Sequence, residues 1–323
     1  MGTTKQRILV APLDWGLGHA SRCIPLIRKW LLEGHEVVLA ADGRPAALLA
    51  KEFPSLTMLP LNGYHIRYSA TLPLGISLLQ QLPKFLRAIR QEKAWLHELL
   101  QTEKFDLIVA DNRYGLHHPS TYNILITHQL FVQVPRSLFF LTSLIHTRMI
   151  RWIKRFDECW IPDEPGELSL SGALSQKGTL PANARFIGRL SRFPGPIQIA
   201  APAYEHVILL SGPEPQRTLL ENLLRQEAES LSTSTLIVQG RPELEEDFTR
   251  GHLRTVSHLD DTALASVLQH AQHITCRSGY STLMDLLSLG CKATLIPTPG
   301  QTEQLYLAHR MKELYGWPVR YQG

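Results

Sequence analysis

The chain has 323 residues, 44% of them hydrophobic and 19% charged, with a formal net charge of +4. This length exceeds what one hydrophobic core usually supports, so two domains are expected. The modest charge permits anionic ligands but gives no reason to expect a nucleic-acid partner. No apolar run approaches the roughly 18 residues of a membrane span. The N-terminus reads as a short strand rather than a signal peptide, and the four cysteines are scattered, which is typical of reduced thiols in a cytoplasmic protein.

Strands and helices alternate through the first half of the chain. The pattern predicts a buried strand at Arg7–Ala11, a helix that ends near Glu33 and a second strand at Glu36–Ala40. Pro25 fits that helix only in its first turn, because an interior proline removes a hydrogen bond. Such alternation predicts an α/β protein with a doubly wound parallel sheet. The remaining elements predicted in this half are helices at Pro45–Phe53 and Leu78–Leu100, and strands at Leu107–Ala110, Ile124–Ile126 and Glu158–Ile161.

A segment rich in proline and small residues, Gly188–Pro202, separates the two halves. It predicts a linker at about 191–202 between a domain at 1–190 and a domain at 203–323. The second half repeats the strand–helix alternation, so we expect two Rossmann-like domains that face each other across a cleft. Its predicted strands are Val207–Leu210, Thr235–Val238 and His273–Cys276, and its predicted helices are Glu214–Leu231, Thr262–Gln269 and Glu303 to about Leu314.

The segment Thr275–Gln304 is the most informative part of the sequence. A short strand leads into the small residues Ser278 and Gly279, and a helix follows. This order places backbone N–H groups at a helix N-terminus, where a phosphate binds well. Asp285 lies further along that helix and could accept two hydrogen bonds from a ribose. The combination predicts a nucleotide-sugar site.

The turn after the first strand contains Gly16, Gly18 and His19. The two glycines allow a close approach of backbone to a ligand, and the histidine suits acid–base work. Two other interpretations stay open. The glycines could serve the turn alone, or the turn could belong to a dinucleotide site with Asp42 on the ribose. In the second half, Ser211 and Gly212 form a similar turn between a strand and a helix.

Several further segments fit one family in order and spacing. They are Val238–Gly240, His258–Asp261, Cys276–Gly279, Thr282–Asp285, Leu289–Gly290, Ile296–Pro297 and Gln301–Gln304, and they follow the N-terminal turn Gly16–His19. Together they resemble GT-B glycosyltransferases, especially the family of the peptidoglycan lipid-intermediate GlcNAc transferase. The resemblance implies the GT-B fold and transfer of a sugar from a UDP-sugar resembling UDP-GlcNAc, in the bacterial cell envelope.

The resemblance also implies a role for individual residues. His19 would be the catalytic base, and Asp285, in place of the family's usual Glu, would bind the ribose. Leu259 would contact the uracil through its backbone. The diphosphate would meet Ser211, Gly212, Arg277, Ser278, Gly279, Ser281 and Thr282, and Gly16 and Gly18 would also lie on the nucleotide-binding side. The donor sugar would face Gln301, Glu303 and Gln304, and Gln239 would complete the donor side.

The reaction type follows from two features of the sequence. There is no Asp-x-Asp motif, and Arg277 occupies the position where retaining relatives carry a glutamate. We therefore expect inversion of configuration, with no metal or other cofactor. Arg277 would stabilise the leaving diphosphate, or it is a structural partner of an acid.

The other substrate is an acceptor that the sequence does not identify: a glycan, a lipid-linked molecule or a small molecule. Asp14, Arg113 and His128 follow first-half strands and are candidates for the acceptor side, or they stabilise loops.

A second reaction class fits the N-terminus. The stretch Gly16–Cys23 is similar to the G-x-G-H-x-x-R-C segment of nucleotide-sugar hydrolases of nonulosonic acid synthesis. In that interpretation His19 activates water and no acceptor is needed. A third class is a nucleotide-sugar binding protein without activity.

Leu138–Leu141 is apolar, and Trp152, Lys154 and Arg155 follow it. This segment could touch the inner face of the membrane with basic anchors. A buried helix explains the same pattern and is the preferred interpretation.

Overall fold

The computed structural model describes residues 4–64, 74–133, 136–196 and 204–322, and side chains outside 74–81 and 136–138 within them. The chain divides into two compact units. The first holds most of the chain up to Leu190, and the second holds Ser191–Gly323 together with Gly16–Gly18. Part of the predicted linker, residues 197–202, lies outside the described residues.

The first unit is built on a seven-stranded parallel sheet with the order β3-β2-β1-β4-β5-β6-β7. Strands β1, β2, β4 and β5 are nearly continuous buried apolar runs, as expected for a parallel sheet covered on both faces. In chain order the elements are β1 (Arg7–Pro12), α1 (Gly18–Leu32), β2 (Glu36–Ala41), α2 (Gly43–Glu52), β3 (Met58–Pro60), α3 (Leu74–Thr102), β4 (Leu107–Asp111), β5 (Tyr122–Ile126), a 3₁₀ helix (Arg136–Leu141), α4 (Thr142–Ile153), β6 (Glu158–Ile161), α5 (Ala173–Gln176) and β7 (Ala184–Phe186).

Helix α1 corrects one expectation from the sequence. Pro25 lies in its interior and not in its first turn, because the helix already begins at Gly18. The helix tolerates the proline because Cys23, Ile24 and Ile27 are fully buried against the core. Burial of such side chains contributes about 1.5–3 kcal/mol each, which offsets a lost backbone hydrogen bond.

The second unit contains a six-stranded sheet with the order β10-β11-β9-β8-β12-β13. The described strands of this sheet pair in parallel except for the edge pair β10–β11, which is antiparallel and makes the doubly wound sheet a mixed one. The elements are β8 (His206–Leu209), α6 (Gln216–Ser230), β9 (Thr235–Val238), β10 (Asp247–Arg250), β11 (Leu253–Val256), α7 (Asp261–His270), β12 (His273–Cys276), α8 (Tyr280–Ser288), β13 (Thr294–Leu295) and α9 (Thr302–Tyr315).

Each sheet has one point at which the strand order reverses. In the first sheet β1 lies between β2 and β4, and in the second sheet β8 lies between β9 and β12. Ligands of doubly wound sheets bind outside the carboxyl ends of the strands at such a point. The loops that follow β1 and β4 in the first unit, and β8 and β12 in the second, are therefore where functional side chains are expected.

The 3₁₀ helix and α4 do not form the buried segment that the sequence favoured. Phe139 is 69% exposed, Phe140 78% and Leu144 66%. Only one side of α4 packs inward, through Met149, Trp152 and Ile153. In the described part of the chain, no helix is both long and apolar enough to cross a membrane.

Candidate functional site

A compact polar cluster lies at the reversal point of the first sheet. His19 stands at the start of α1, just after β1, and Asp111 is the last residue of β4. The His19 Nδ1 is 2.6 Å from the Asp111 Oδ1. Arg22, one helical turn after His19, donates to both Asp111 oxygens in a bidentate pair. These contacts join residues that are far apart in sequence and orient the imidazole.

The contacts of His19 indicate which ring nitrogen is available for chemistry. Its Nδ1 is 2.6 Å from the Asp111 carboxylate and 3.1 Å from Arg22 Nη2, and it cannot donate to one and accept from the other at once. Arg22 already bonds both Asp111 oxygens, so we assign the Nδ1 proton to the His19–Asp111 bond. The Nε2 is then the basic nitrogen.

Asp111 is suited to remain charged. Burial alone would raise the pKa of this carboxyl, but the charge of Arg22 and the hydrogen bonds from His19 and Arg22 lower its pKa below the ordinary value. Asp111 is fully buried. A buried carboxylate of this kind stabilises a positive charge on the neighbouring imidazole.

Of the three acceptor-side candidates, His128 joins the same cluster. The His128 Nδ1 is 3.0 Å from Arg22 Nη1 and therefore accepts a hydrogen bond from the guanidinium. His128 is only 3% exposed. Asp14 instead accepts a hydrogen bond from the Tyr64 main-chain N–H at 2.8 Å. Contact of either residue with an acceptor stays a prediction.

Arg113, the third acceptor-side candidate, is fully buried. The chain passes through Asn112 at φ +53, a conformation that asparagine tolerates. The Arg113 guanidinium then donates to the Pro12 carbonyl at 2.8 Å and to the Glu92 Oε1 at 3.0 Å. Glu92 also accepts from the Tyr64 hydroxyl at 2.8 Å. These contacts are those of a loop-stabilising residue, which was the alternative reading of the sequence.

In the second unit, the predicted donor residues follow the carboxyl ends of the parallel strands. The turn Ser211–Gly212 follows β8, Gln239 follows β9, and Leu259 lies shortly after β11. Arg277 and Ser278 follow β12, the neighbour of β8. The sheet therefore brings to one edge residues that are up to 67 positions apart in the chain, from Ser211 to Ser278, as the reversal rule predicts.

The turn between β12 and α8 is hydrogen-bonded to the main chain of Gln304, one of the predicted sugar-binding residues, in α9. Ser278 is fully buried and donates its hydroxyl to the Gln304 carbonyl at 2.7 Å. The Gln304 Oε1 accepts from the Thr298 main-chain N–H at 2.8 Å. Gly279 is the N-cap of α8 and makes no side-chain cap. The first N–H groups of α8, at Tyr280, Ser281 and Thr282, therefore form a helix N-terminus suited to an anion.

Arg277 is 1% exposed and lies among neutral groups. Its guanidinium donates to the carbonyls of Ile296, Pro297 and Gln216 and to the Gln322 side chain. No carboxylate of the described residues pairs with it, so the acid-pair alternative from the sequence is wrong there. Burial lowers the pKa of this group to about 10.

Three predicted donor residues also hold buried polar atoms that have no hydrogen-bond partner among the described residues. They are Arg277 Nε, Gln239 Oε1 and Gln301 Oε1. The other end of the Gln239 amide donates to Glu221 at 2.8 Å. Such unsatisfied buried atoms are uncommon in folded proteins, so these three residues are candidates for a functional role.

Asp285 is 6% exposed and accepts hydrogen bonds from the segment that opens the second unit. The Ser191 hydroxyl donates to Oδ1 at 2.8 Å, the Arg192 main-chain N–H donates to Oδ1 at 3.2 Å, and the Arg192 Nε donates to Oδ2 at 3.2 Å. Burial raises the pKa of Asp285. The charge of Arg192 lowers it, but the effect of burial is larger, so the pKa lies above its ordinary value. The carboxylate that was predicted to bind ribose is therefore already hydrogen-bonded to the side chains of Ser191 and Arg192 and to the main chain of Arg192.

The remaining predicted donor residues are placed as follows. Gly16 and Gly212 have positive φ of +78 and +100, and Gly16–Gly18 group with the second unit. Gln301 is the N-cap of α9, and Glu303 lies in its first turn. The alternative dinucleotide acid, Asp42, is instead the N-cap of α2 and accepts a hydrogen bond from the Gly43 N–H at 2.7 Å.

Among the described residues, no group of three His, Cys, Asp or Glu side chains could hold a metal ion. Independence from a metal stays a prediction.

Sequence reasoning did not assign four of the residues above. In the sequence, Asp111 is one polar residue among several that follow the predicted strand Leu107–Ala110, and Arg22 is part of the motif Gly16–Cys23. Ser191 and Arg192 fell in the predicted linker and carried no signal. The position of Asp111 beside β1 at the reversal point is the feature that could have identified it.

No protein-family model matches the chain, and no curated protein sequence is similar to it. Solved structures are similar in fold across both units. CalG4, the calicheamicin glycosyltransferase, has a TM-score of 0.62 at 14% identity, covering 99% of this chain and 86% of that one. SnogD, a glycosyltransferase from Streptomyces nogalater, has a TM-score of 0.58 at 15% identity, covering 98% and 87%. UGT89C1 from Arabidopsis thaliana, solved with UDP-L-rhamnose, has a TM-score of 0.60 at 13% identity, covering 98% and 85%.

These similarities extend over nearly the whole chain, while the identities are too low to carry activity across. They agree with two α/β units of Rossmann-like topology, as the strand orders show independently. The chain therefore has the GT-B fold, as the sequence predicts.

Proposed function

We propose that this protein is a glycosyltransferase that moves a sugar from a UDP-sugar to an acceptor, with inversion and without a metal. The observation that carries the proposal is the His19–Asp111 pair at the reversal point of the first sheet, with 2.6 Å between Nδ1 and Oδ1. A histidine oriented by a buried carboxylate is suited to act as a general base. The GT-B fold and the donor residues at the edge of the second sheet support the choice of substrate class.

The proposed reaction is a single displacement. The His19 Nε2 would take the proton of an acceptor hydroxyl as its oxygen attacks the anomeric carbon. The bond from that carbon to the UDP oxygen breaks, and the electron pair leaves with UDP. Asp111 would stabilise the imidazolium that forms, and the N-terminal amides of α8 together with Arg277 would stabilise the leaving diphosphate.

Hydrolysis of the same donor is the second candidate, and one observation favours it. Arg22 and Cys23, the last two residues of the hydrolase-like motif, both contact Asp111: Arg22 through its guanidinium, and Cys23 Sγ at 3.9 Å from Oδ2. The same histidine would then activate water, and the sugar would be released free.

A UDP-release assay distinguishes the two reactions. A thermal-shift screen of UDP-, GDP- and TDP-sugars first selects the donor, and UDP release is then measured with and without sugar acceptors. We expect a UDP-sugar to stabilise the protein and UDP release to depend on an acceptor. Full release without acceptor would assign the hydrolase, and no stabilisation or release with any nucleotide sugar would overturn the enzyme proposal.

A peripheral membrane contact is the proposed use of the 3₁₀ helix and α4. Phe139, Phe140 and Leu144 form an exposed apolar end beside an open groove of about 790 Å³. Exposed basic side chains continue along α4 from Arg148 to Arg151, and no acidic residue occurs in 136–156. An apolar end next to a basic stripe fits an anionic lipid surface. The protein would then work at the inner face of the cell membrane.

Vesicle sedimentation tests this surface. We expect binding to phosphatidylcholine vesicles that contain phosphatidylglycerol, but not to pure phosphatidylcholine. Arg148→Gln with Arg151→Gln should weaken binding about 30-fold, since each basic residue near the surface contributes about 1 kcal/mol. Phe139→Ser with Phe140→Ser should weaken vesicle binding at every salt concentration, because the lost apolar contact is not screened by ions. The exposed residues Lys51 and Leu32 supply the control variants Lys51→Gln and Leu32→Ser, and equal loss in these controls would refute the assignment.

A further inference from the structure

The carboxylate of Asp285 has few acceptor positions left. Within the described parts of the chain it receives three hydrogen bonds, from the Ser191 hydroxyl and from the main-chain N–H and the Nε of Arg192, at 2.8–3.2 Å. A carboxylate offers about four acceptor positions. Two hydroxyls of a ribose would need two of them. At least one contact from Ser191 or Arg192 must therefore break before Asp285 can hold a ribose through both hydroxyls.

We propose that Ser191 and Arg192 form an internal latch that competes with the nucleotide for Asp285. The inference rests on the proposed function, because it takes Asp285 as the ribose-binding residue. In the absence of nucleotide the latch keeps the carboxylate satisfied. When a nucleoside diphosphate binds, the two ribose hydroxyls replace latch donors, and the segment that opens the second unit is released from α8.

The latch is held by charge at two points. Arg192 lies between two carboxylates, with its Nε 3.2 Å from Asp285 and its Nη1 3.2 Å from Asp261 in the first turn of α7. The second contact gives Arg192 a partner that a ribose does not displace. Arg192 can therefore leave Asp285 and keep a countercharge, which lowers the cost of opening the latch compared with a guanidinium left alone.

The neighbouring residues limit how far the latch can move. Phe193 is 4% exposed, and its main-chain N–H donates to the Ser191 hydroxyl at 3.1 Å. The Arg192 guanidinium also lies over the Phe193 ring at 5.1 Å. The buried phenylalanine anchors the segment, so opening needs rotation of the Ser191 and Arg192 side chains and a small backbone shift. This makes the latch a local switch.

A latch of this kind lowers the apparent affinity for nucleotide. If the latch is open in a tenth of the molecules, the observed Kd is about 10-fold weaker than that of the open form. Removal of the latch donors should therefore make the observed Kd tighter by up to about 10-fold. Uridine is the decisive probe, because it carries the ribose without phosphates and its affinity does not depend on attraction between Arg192 and a diphosphate.

Calorimetric titration with uridine and UDP tests the proposal on four variants: Ser191→Ala, Arg192→Gln, Asp285→Asn and the control Arg250→Gln, which changes an exposed arginine of the same unit. We expect Ser191→Ala and Arg192→Gln to bind uridine up to about 10-fold more tightly than the parent protein. Asp285→Asn should bind both ligands more weakly, and Arg250→Gln should be unchanged. Hydrogen exchange should show faster exchange of the Arg192 amide when UDP is added.

Each outcome separates the latch from the proposed function. Unchanged or weaker uridine binding in both latch variants, with binding lost in Asp285→Asn, overturns the latch and keeps Asp285 as the ribose residue. No binding of UDP or uridine by any variant overturns the latch and the donor assignment together. Parental affinity of Asp285→Asn for both ligands overturns the latch, because Asp285 then only anchors the segment, and it leaves the transferase to be judged by UDP release.

Discussion

We expect His19→Ala to lower turnover by about 10²–10⁴-fold while nucleotide binding is retained, because the variant loses the proposed general base and no residue of the predicted donor side. The geometry behind this expectation is the 2.6 Å contact of His19 with the buried Asp111. Product formation and calorimetric titration with UDP, done on the same preparation, measure the two properties separately. Full turnover in His19→Ala would remove His19 from the reaction.

The exposed His97 on α3 provides the matched control, and His97→Ala should keep parental activity. Asp111→Asn examines the positioning role of the carboxylate. If Asp111 acts through His19, its replacement should lower turnover in the parent protein but change little in a His19→Ala background. Additive losses would mean that Asp111 acts independently of the histidine.

Arg113→Met should lower the free energy of unfolding of the first unit by about 3–5 kcal/mol, because it leaves Glu92 buried without a countercharge. Glu92 is 2% exposed, and its other contacts are the Tyr64 hydroxyl and the Gly115 N–H. Burial raises the pKa of Glu92, and the Arg113 charge opposes that rise. Urea unfolding followed by circular dichroism measures the loss.

Arg90→Met, which changes an exposed arginine of the same helix as Glu92, should shift unfolding by less than about 0.5 kcal/mol. Replacement of both buried partners, as Arg113→Met with Glu92→Leu, should recover part of the stability. The opposite pattern, an unchanged unfolding curve with a raised KM for acceptor, would show that Arg113 binds acceptor and would refute the structural role.

Most of the fold could be predicted from the sequence because its parallel strands are short apolar runs. Glu158–Ile161, Thr235–Val238 and His273–Cys276 have the predicted bounds. The strand β10 was not predicted. Its four residues are all exposed and carry no apolar alternation, so it is a strand only because it pairs with β11. The sequence favoured a buried position for Phe139 and Phe140 because both are apolar, but both are exposed. Composition does not report which side of a segment other elements cover.

The sequence by itself determined the local parts of the site: a glycine turn that ends in His19, and a strand–turn–helix that leads to Asp285. Only the tertiary structure decided the partners of these residues. Asp111 reaches His19 across 92 positions, and Ser191 reaches Asp285 across 94. Periodicity and turn chemistry depend on neighbours in the chain, whereas these pairs depend on which strands and segments pack side by side. For that reason the sequence could predict His19 as a base and Asp285 as a ribose-binding residue, and only the packed fold showed what orients the first side chain and what occupies the second.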